Sequence, residues 1–259
     1  MKIDSTMTAV VTGGCSGLGH ATAVRLRESG FNVAIFDMNA EVGAQRVSEL
    51  GEESTLFCQV DVRDAQAVEA AFAQVEERFG NLRVCVNCAG IAPAKRVLSR
   101  EGDPMPLDSF SSVIDINLVG TFNVARVAAS YMAKHPTLGE AQERGLIVNT
   151  ASVAGYEGQI GQAAYAASKG GIIALSLPLA RDLAKVGVRV NAIAPGIMGT
   201  PMLLAMPDNV QDALKANVPF PDRLGLPSEF ASLVVHMIEN AYLNGETIRL
   251  DGALRMPSK

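Results

Sequence analysis

Seven short apolar runs, separated by stretches of helical spacing, dominate the pattern of this chain. They read TAVVTG, NVAIFD, TLFCQVD, LRVCVNCAG, GLIVNTAS, VRVNAIAP and ETIRL. They are nearly continuous in apolar residues, which is typical of parallel strands covered on both faces. The stretches between them fit crossover helices and begin near Leu18, Glu41, Ala65, Leu107, Gln162 and Pro227. The sequence therefore predicts an α/β fold, a Rossmann-type doubly wound parallel sheet of about seven strands flanked by helices.

The bulk composition favours one folded domain. The chain has 259 residues, of which 48% are hydrophobic and 19% charged. It shows no linker, repeat or low-complexity segment, so we predict a single domain over 1–259. Two long loops, Ile91 to Pro106 and Pro195 to about Pro227, have lengths typical of functional segments. We expect a substrate loop at about 197–226. The net charge of −5, without a basic stripe, argues against nucleic acid as a partner.

Neither a leader nor a membrane segment is expected from the sequence. The opening MKIDSTMTAVVTGG lacks the apolar run of a signal peptide. No uninterrupted run of about eighteen apolar residues occurs, so membrane insertion is not predicted. These features predict a cytoplasmic protein.

The four cysteines include a C-x-x-C pair, Cys85 and Cys88, within a predicted strand. Residues three apart on a strand face opposite sides, whereas a redox pair sits at a helix N-terminus and a zinc site needs a second pair. We therefore predict structural cysteines and no metal site. Free thiols fit the cytosol or an organelle matrix of similar chemistry.

A glycine-rich turn, VVTGGCSGLG, joins the first predicted strand to the first helix. Gly13, Gly17 and Gly19 give the spacing G-x-x-x-G-x-G. Glycines allow a tight turn and let backbone N–H groups approach a pyrophosphate at the positive end of the helix. The alternative is an ordinary βα turn. The strand before the turn and the helix after it favour a dinucleotide site.

An acidic residue ends the second predicted strand, Asp37 in VAIFDMN. A carboxylate there accepts hydrogen bonds from an adenosine ribose and repels a 2′-phosphate, so it predicts NAD over NADP. The alternative role is an N-cap of the next helix. Asp61 and Val62 follow the third strand, where an adenine would lie. Taken alone, Asp61 fits a helix cap better.

Three polar residues form the predicted reactive group. Ser152 ends the fifth apolar run, and Tyr165 and Lys169 stand four apart on the next helix, within mutual reach. Tyrosine is a poor base at its usual pKa of about 10, and a nearby ammonium favours the phenolate. A packed tyrosine with a surface lysine is the alternative. Ser152, the glycine turn and Asp37 together favour catalysis.

These residues resemble the short-chain dehydrogenase/reductase family over essentially the whole chain. The matching positions are T-G-x-x-x-G-x-G at Thr12–Gly19, NCAG at Asn87–Gly90 where the family has N-N-A-G, the helix asparagine Asn117, the trio Ser152, Tyr165 and Lys169, and the P-G motif at Pro195–Gly196. Cys88 thus replaces the family's second asparagine. The resemblance implies that Asn117 holds a water that relays a proton to Lys169, whereas a buried asparagine satisfied by backbone is the alternative.

Longer stretches, among them NTASVAGYEGQIGQAAYAASKGGI and RVNAIAPGIMGTPML, are similar to type-2 3-hydroxyacyl-CoA dehydrogenases, also called type-10 17β-hydroxysteroid dehydrogenases. That resemblance implies NAD as cofactor, a homotetramer, and oxidation of 3-hydroxyacyl-CoA esters, including 2-methyl-branched ones, with some steroid alcohols. Substrate contacts would be made by Ser152, Gln159 and Tyr165. The implied cofactor-binding residues are Gly13, Ser16, Gly17, Leu18, Gly19, Asp37, Asp61, Val62, Asn87, Cys88, Ala89, Gly90, Tyr165, Lys169, Pro195, Gly196, Met198 and Thr200.

The substrate is the least constrained part of this reading. The apolar run Pro201–Met206 fits a lid over an acyl chain or steroid, or equally a helix packed on the body or a neighbouring subunit. Lys95, Arg96 and Arg100 would meet CoA phosphates, although a solvated basic loop is the better-supported reading. The alternative functions are a dedicated hydroxysteroid or other lipid-alcohol dehydrogenase, and a catalytically idle NAD-binding scaffold or sensor.

Overall fold

The structure is a computed structural model that describes residues 1–258, apart from the side chains of Met202 and Val210. Its strands are β1 (Thr8–Thr12), β2 (Asn32–Asp37), β3 (Thr55–Gln59), β4 (Leu82–Asn87), β5 (Gly145–Thr150), β6 (Val188–Pro195) and β7 (Thr247–Leu250). Its α-helices are α1 (Gly17–Glu28), α2 (Ala40–Leu50), α3 (Ala65–Arg78), α4 (Leu107–Ile114), α5 (Gly120–Met132), α6 (Ala163–Leu183), α7 (Pro201–Leu204), α8 (Asp208–Lys215) and α9 (Pro227–Glu239).

All strands pair in parallel in one sheet of order β3-β2-β1-β4-β5-β6-β7. The chain moves outward from β1 to β3 and then crosses back to place β4 on the other side of β1. Parallel sheets bind ligands where the strand order reverses, beyond the carboxyl ends of the strands. The predicted fold is confirmed, and the reversal lies between Thr12 of β1 and Asn87 of β4, which are paired in register.

Apolar side chains cover both faces of the sheet. Val10 of β1 packs on one face with Phe72 of α3, and the adjacent Val11 packs on the other with Leu26 of α1. Neighbouring strand residues point to opposite faces, so a strand buried on both sides must be apolar at every position. This explains why the strands read as continuous runs.

Strands β1, β3, β4, β5 and β7 are each shorter than the apolar run that predicted them. β3 ends at Gln59 and β5 at Thr150, so Asp61 and Ser152 lie in the following turns. At Ser152 the side-chain Oγ accepts a hydrogen bond from the Ala154 N–H at 3.1 Å and caps a short 3₁₀ turn. This bond turns the chain away from the sheet edge.

The two predicted long loops differ in content. Residues 91–106 contain no helix or strand beyond an isolated bridge between Leu98 and Pro104. The loop after β6 holds the short helices α7 and α8 before α9 begins.

By length and composition alone, helix α6 with its 3₁₀ extension to Val186 is long and apolar enough to cross a membrane. In its apolar 18-residue stretch, 33% is buried. The sequence pattern did not lead us to expect such a segment. The candidate is weak, because core helices of globular proteins meet the same criterion. Ile172 and Ala180 of α6 are buried in the core beside β6.

Candidate active site

A cleft of about 490 Å³ opens at the carboxyl edge of the sheet, at the strand-order reversal. Of the residues implied as cofactor-binding, the cleft is lined by Gly13, Ser16, Gly17, Leu18, Gly19, Asp37, Asp61, Val62, Cys88, Ala89, Gly90, Tyr165, Lys169, Pro195, Gly196, Met198 and Thr200. Asn87 is absent from the lining: it is buried, and its Nδ2 donates to Asn149 Oδ1 at 2.9 Å.

The cleft is also lined by Pro201, from the predicted lid, and by residues that the sequence did not single out: Phe36, Met38, Val60, Ile91, Ala92, Ile116, Thr150 and Ala151. Nearly all of them adjoin a residue that was selected. The ends of the predicted strands were the available signal for them, because side chains there face the ligand edge of a parallel sheet.

The glycine turn packs against the NCAG segment. Gly13 has a positive φ of +64°, and a Cβ there would come within 2.9 Å of the Ala89 nitrogen. Thr12 fixes the same contact, since its Oγ1 accepts hydrogen bonds from the N–H groups of Cys88 at 3.1 Å and Ala89 at 3.0 Å. A side chain at position 13 would therefore push these two segments apart and widen the floor of the cleft.

The N-terminus of α1 fits a phosphate group. Ser16 is the N-cap residue, and the structure shows no capping bond from its side chain. The first backbone N–H groups of a helix lack partners within the helix and carry partial positive charge. They begin at Gly17, which lines the cleft with Ser16, so this part of the cleft can hold a dinucleotide pyrophosphate.

Asp37 lies at the far end of the cleft from the reactive group. One carboxylate oxygen accepts from the Cys15 N–H at 3.1 Å and the other from the Asn39 N–H at 3.2 Å. These bonds hold the carboxylate beside the glycine turn. The N-cap of α2 is Asn39, whose Oδ1 accepts from Val42 N–H; the alternative role for Asp37 is therefore filled by another residue.

Asp61 also lines the cleft, but its carboxylate is engaged elsewhere. Arg63 donates to it through Nε and through Nη2, the latter at 2.6 Å. The hydrogen bonds from Arg63 lower the pKa of Asp61. The helix-cap role belongs to Asp64, which accepts from Gln66 and Ala67 at the start of α3.

The structure brings Ser152, Tyr165 and Lys169 together on one wall of the cleft. Burial raises the pKa of the Tyr165 phenol, and its hydrogen bond with Ser152 acts in the opposite direction. Lys169 Nζ lies 5.8 Å from the centre of the Tyr165 ring. Among the groups of the chain itself, burial therefore outweighs the hydrogen bond with Ser152 in setting the phenol pKa, and a further positive charge beside the phenol would favour its ionised form.

Asn117 lies in a π-helical stretch, Asp115–Val119, between α4 and α5. Its Oδ1 accepts from the Ile91 N–H at 2.9 Å, while its Nδ2 donates to the Ile91 carbonyl at 2.9 Å and to Ser168 Oγ at 3.0 Å. A Cβ at Gly90 would lie 3.1 Å from Asn117 Oδ1 and 3.8 Å from Lys169 Nζ. Asn117 and Lys169 thus converge on Gly90, although the asparagine amide is occupied by protein groups.

Two other sets of predicted residues lie apart from the cleft lining. Gln159 donates from Nε2 to the carbonyl of Pro257 at 3.1 Å. Lys95 donates to Ser109 Oγ at 2.9 Å, and the neighbouring Arg96 and Arg100 are exposed. The structure therefore ties Gln159 and Lys95 to other parts of the chain.

The cysteines are free thiols; Cys85 lies in β4, whereas Cys88 lies just beyond the end of that strand, and the two pack on opposite faces of the sheet. Burial raises the pKa of Cys58 and Cys88 to about 11 and that of Cys15 to about 12. Thiols of this kind are poor nucleophiles. Over residues 1–258, no group of three His, Cys, Asp or Glu side chains is placed to hold a metal ion.

Comparison with known proteins agrees with this geometry. The profile of the short chain dehydrogenase family matches residues 7–211. The chain is 49% identical to the 3-hydroxyacyl-CoA dehydrogenase type-2 of Homo sapiens, over 96% of this chain and 95% of that protein. It is 48% identical to the protein of the same name in Drosophila melanogaster, over 96% and 97% of the two chains.

A solved structure shows the same fold. The crystal structure of 3-hydroxyacyl-CoA dehydrogenase type-2 from Mycobacterium avium has a TM-score of 0.94 to this structure, at 44% identity and covering 98% of both chains. The family resemblance predicted from the motifs is confirmed. The chain therefore belongs to the short-chain dehydrogenase family of nicotinamide-dependent oxidoreductases.

Proposed function

We propose that the protein uses NAD to interconvert 3-hydroxyacyl-CoA and 3-ketoacyl-CoA, including 2-methyl-branched acyl groups, by reversible hydride transfer. The observation that carries the proposal is the placement of Ser152, Tyr165 and Lys169 on one wall of a cleft whose other end holds the glycine turn and Asp37. The names of relatives 48–49% identical along nearly the whole chain support the acyl-CoA substrate.

The polar residues of the trio have different roles. Tyr165, as phenolate, removes the proton of the substrate's secondary hydroxyl while the carbinol hydrogen leaves as hydride. Ser152 donates a hydrogen bond to the substrate oxygen and stabilises it in both the alcohol and ketone states. When bound, NAD would supply the hydride acceptor and a further positive charge beside the phenol.

Lys169 acts by charge and by binding the nicotinamide ribose. Lowering a tyrosine pKa by about three units needs roughly 4 kcal/mol of differential interaction. Lys169 is 6% exposed, so its field is weakly screened. Asn117 would hold a water that relays the proton to Lys169. Its side-chain nitrogen, Nδ2, already donates to Ile91 and Ser168. The water would therefore bind another atom of Asn117.

The choice of NAD over NADP rests on Asp37. Its carboxylate is held by two backbone N–H groups beside the glycine turn. It would accept hydrogen bonds from the adenosine ribose hydroxyls and repel a 2′-phosphate. The remaining cleft residues, including Cys88 and the Pro195–Thr200 turn, enclose the dinucleotide.

The chain is proposed to form a single domain. Its substrate is proposed to bind beside residues 197–226. Leu204 is 54% exposed and Met206 is 39% exposed, an apolar surface suited to an acyl chain or a steroid. Gln159 is a weaker candidate for substrate contact because its amide is bonded to Pro257. Arg96 and Arg100 remain free to meet CoA phosphates.

A homotetramer in the cytoplasm is the proposed working form. Val119 at the end of the π-helical stretch, Phe122 in the first turn of α5 and Leu177 on α6 are 43–49% exposed. Exposed apolar side chains of this kind on packed helices suit contacts between subunits. The four free thiols suit a reducing compartment.

The experiment follows absorbance at 340 nm with NAD and two substrates in parallel, a short 3-hydroxyacyl-CoA and a steroid alcohol. Faster turnover of the acyl-CoA supports the proposal. Turnover of the steroid alone would instead identify a dedicated hydroxysteroid dehydrogenase. Tight NAD binding with no turnover of any alcohol in a broad panel would identify an idle scaffold.

A further inference from the structure

Residues 153–162, here the connecting loop, join Ser152 to the helix that carries Tyr165. Two glycines, which lack side chains, allow this loop to lie in close contact with α6. A Cβ at Gly155 would lie 2.9 Å from the backbone of Lys169, and one at Gly158 would lie 2.7 Å from the side chain of Ala166. The loop therefore lies directly against residues 165–169 of α6, the turn that carries Tyr165 and Lys169 and is here called the catalytic turn.

The loop carries one acidic side chain, Glu157, which is held from the far end of the sequence. Arg249 of β7 grips it with two parallel bonds, from Nη1 to Oε1 at 2.9 Å and from Nη2 to Oε2 at 3.2 Å. The same guanidinium lies 5.3 Å from the ring centre of Tyr156 in the loop and bonds Asp251 at 2.7 Å. Paired bonds between a guanidinium and a carboxylate fix orientation as well as distance.

Residues 254–258, which follow β7 and are here called the tail, form further hydrogen bonds with Arg249 and with the connecting loop. Arg249 Nη2 also donates to the carbonyl of Leu254 at 2.9 Å. Three successive tail residues bond to the connecting loop: the Met256 N–H donates to Glu157 Oε2 at 2.9 Å, Gln159 Nε2 donates to the Pro257 carbonyl at 3.1 Å, and the Ile160 N–H donates to the Ser258 carbonyl at 3.1 Å.

We infer that Glu157 is a positioning residue, which through Arg249 and the tail holds the connecting loop in the form that receives the acyl part of the substrate. The loop presents Tyr156 and Ile160, 47% and 50% exposed, next to the catalytic turn. This inference rests on the proposed function for the nature of the substrate. Cofactor binding is not involved, because neither Glu157 nor the tail lines the dinucleotide cleft.

The kinetic consequence is a change in KM. If only a fraction of molecules holds the loop in the receptive form, the apparent affinity for substrate falls by that fraction. Once substrate is bound, it orders the loop itself, so the chemical step at Tyr165 is little changed. A merely structural role would instead lower the amount of active enzyme and therefore kcat.

The test compares Glu157→Gln, Arg249→Lys and the double variant with the wild type, using acetoacetyl-CoA and NADH. Each single variant is expected to raise the KM for acetoacetyl-CoA about tenfold, with kcat within about threefold and the NADH Kd within about twofold. The effect of the double variant is expected to be smaller than the product of the two single effects, because the two residues share the paired bonds between them, although each also has other partners. Hydrogen exchange by mass spectrometry should show faster exchange within 154–161 and 255–258.

The matched control is Glu69→Gln, which removes the carboxylate charge from a 2.9 Å ion pair with Arg126 away from the cleft. It should leave all three kinetic values unchanged. A fall in kcat with unchanged KM, a parallel rise in the NADH Kd, or unchanged exchange in the loop would each overturn the inference. If the wild type does not turn over acetoacetyl-CoA, the proposed function fails separately, and the same KM ratios are taken on the steroid alcohol. A wild type that turns over neither substrate would overturn both.

Discussion

Lys169 Nζ donates a 2.6 Å hydrogen bond to the carbonyl oxygen of Thr150, nineteen residues away at the end of β5. The bond ties the catalytic turn of α6 to the sheet edge. It also leaves the ammonium 5.8 Å from the Tyr165 ring centre, so the proposed action of the lysine on the phenol would be exerted through its field. Burial lowers the pKa of this ammonium to about 8.

The depressed pKa of Lys169 predicts a particular dependence of stability on pH. An unfolded lysine has a pKa of about 10.4, so between about pH 8 and 10 the unfolded chain binds more protons than the folded one. The contribution of this lysine to the free energy of unfolding therefore rises with pH across that window. Below pH 8 the cost of burying the charge is fully present.

Chemical denaturation of the wild type and of Lys169→Met at pH 7.5 and 9.5, without NAD, checks this. The wild type should gain on the order of 1–2 kcal/mol relative to the variant over that range. Lys185→Met, in the exposed 3₁₀ extension of the same helix, is the control: it keeps Lys169 and should therefore respond to pH as the wild type does. An equal pH response in all three proteins would contradict the assignment.

Removing the phenol oxygen tests the proposed base. Tyr165→Phe should lower kcat by at least about a thousandfold, because general-base catalysis is lost while the ring still fills its site. The Kd for NADH should stay within about threefold, since the glycine turn and Asp37 are untouched. Phe replaces Tyr at a buried position, so Tm reports whether the fold is intact. Turnover above about a tenth of the wild-type rate would refute the scheme.

The parts of this site that could be predicted from sequence are those with a local signal. The glycine turn lies between a strand and a helix, and Tyr165 and Lys169 share one helix face. The bonds of Lys169 to Thr150 and of Gln159 to Pro257 join residues 19 and 98 positions apart. They depend on how the elements pack, and no periodic pattern encodes them. The π-helical turn at Asn117 likewise has no distinct sequence mark.

The cofactor preference is predicted to follow the charge at position 37. Asp37→Arg should lower kcat/KM for NAD about a hundredfold and raise it for NADP about tenfold. The change replaces a carboxylate that accepts hydrogen bonds from the ribose with a guanidinium that donates them to a 2′-phosphate. Asp37→Asn keeps an acceptor for the Cys15 N–H and should reduce discrimination with less damage to the turn. Asp182→Arg, the same charge change at an exposed position of α6, is the control. An unchanged NAD/NADP ratio in Asp37→Arg would show that another group selects the cofactor.

The four thiols are expected to be inert in the folded protein. Burial is the largest cause of the raised pKa at each of Cys15, Cys58, Cys85 and Cys88. Iodoacetamide at pH 8 should therefore label the native protein slowly and all four sites quickly in guanidinium, as read by mass spectrometry. Cys88 alone lines the cleft, so any slow labelling there should fall further with NAD. Rapid native labelling of Cys85 and Cys88 would revive a redox role for the C-x-x-C pair.

Arg189 is predicted to be the most costly charged side chain to remove for stability. It is buried in β6, pairs with Glu143 at 2.7 Å, and donates to the carbonyls of Met237 and Leu243, both at 2.8 Å. Arg189→Met keeps most of the side-chain length but leaves a buried carboxylate and four backbone carbonyls without this donor. Breaking a buried ion pair costs about 3–5 kcal/mol.

Urea denaturation should show that loss as a lower midpoint with an unchanged slope. Arg126→Met provides the comparison, because its pair with Glu69 is 40% and 56% exposed, and exposed pairs contribute less than about 1 kcal/mol. Adding Glu143→Gln to Arg189→Met should not recover that loss, because the Glu143 carboxylate also pairs with the buried Met1 ammonium at 3.1 Å. Equal losses for Arg189→Met and Arg126→Met would mean that the buried network contributes no more than a surface pair.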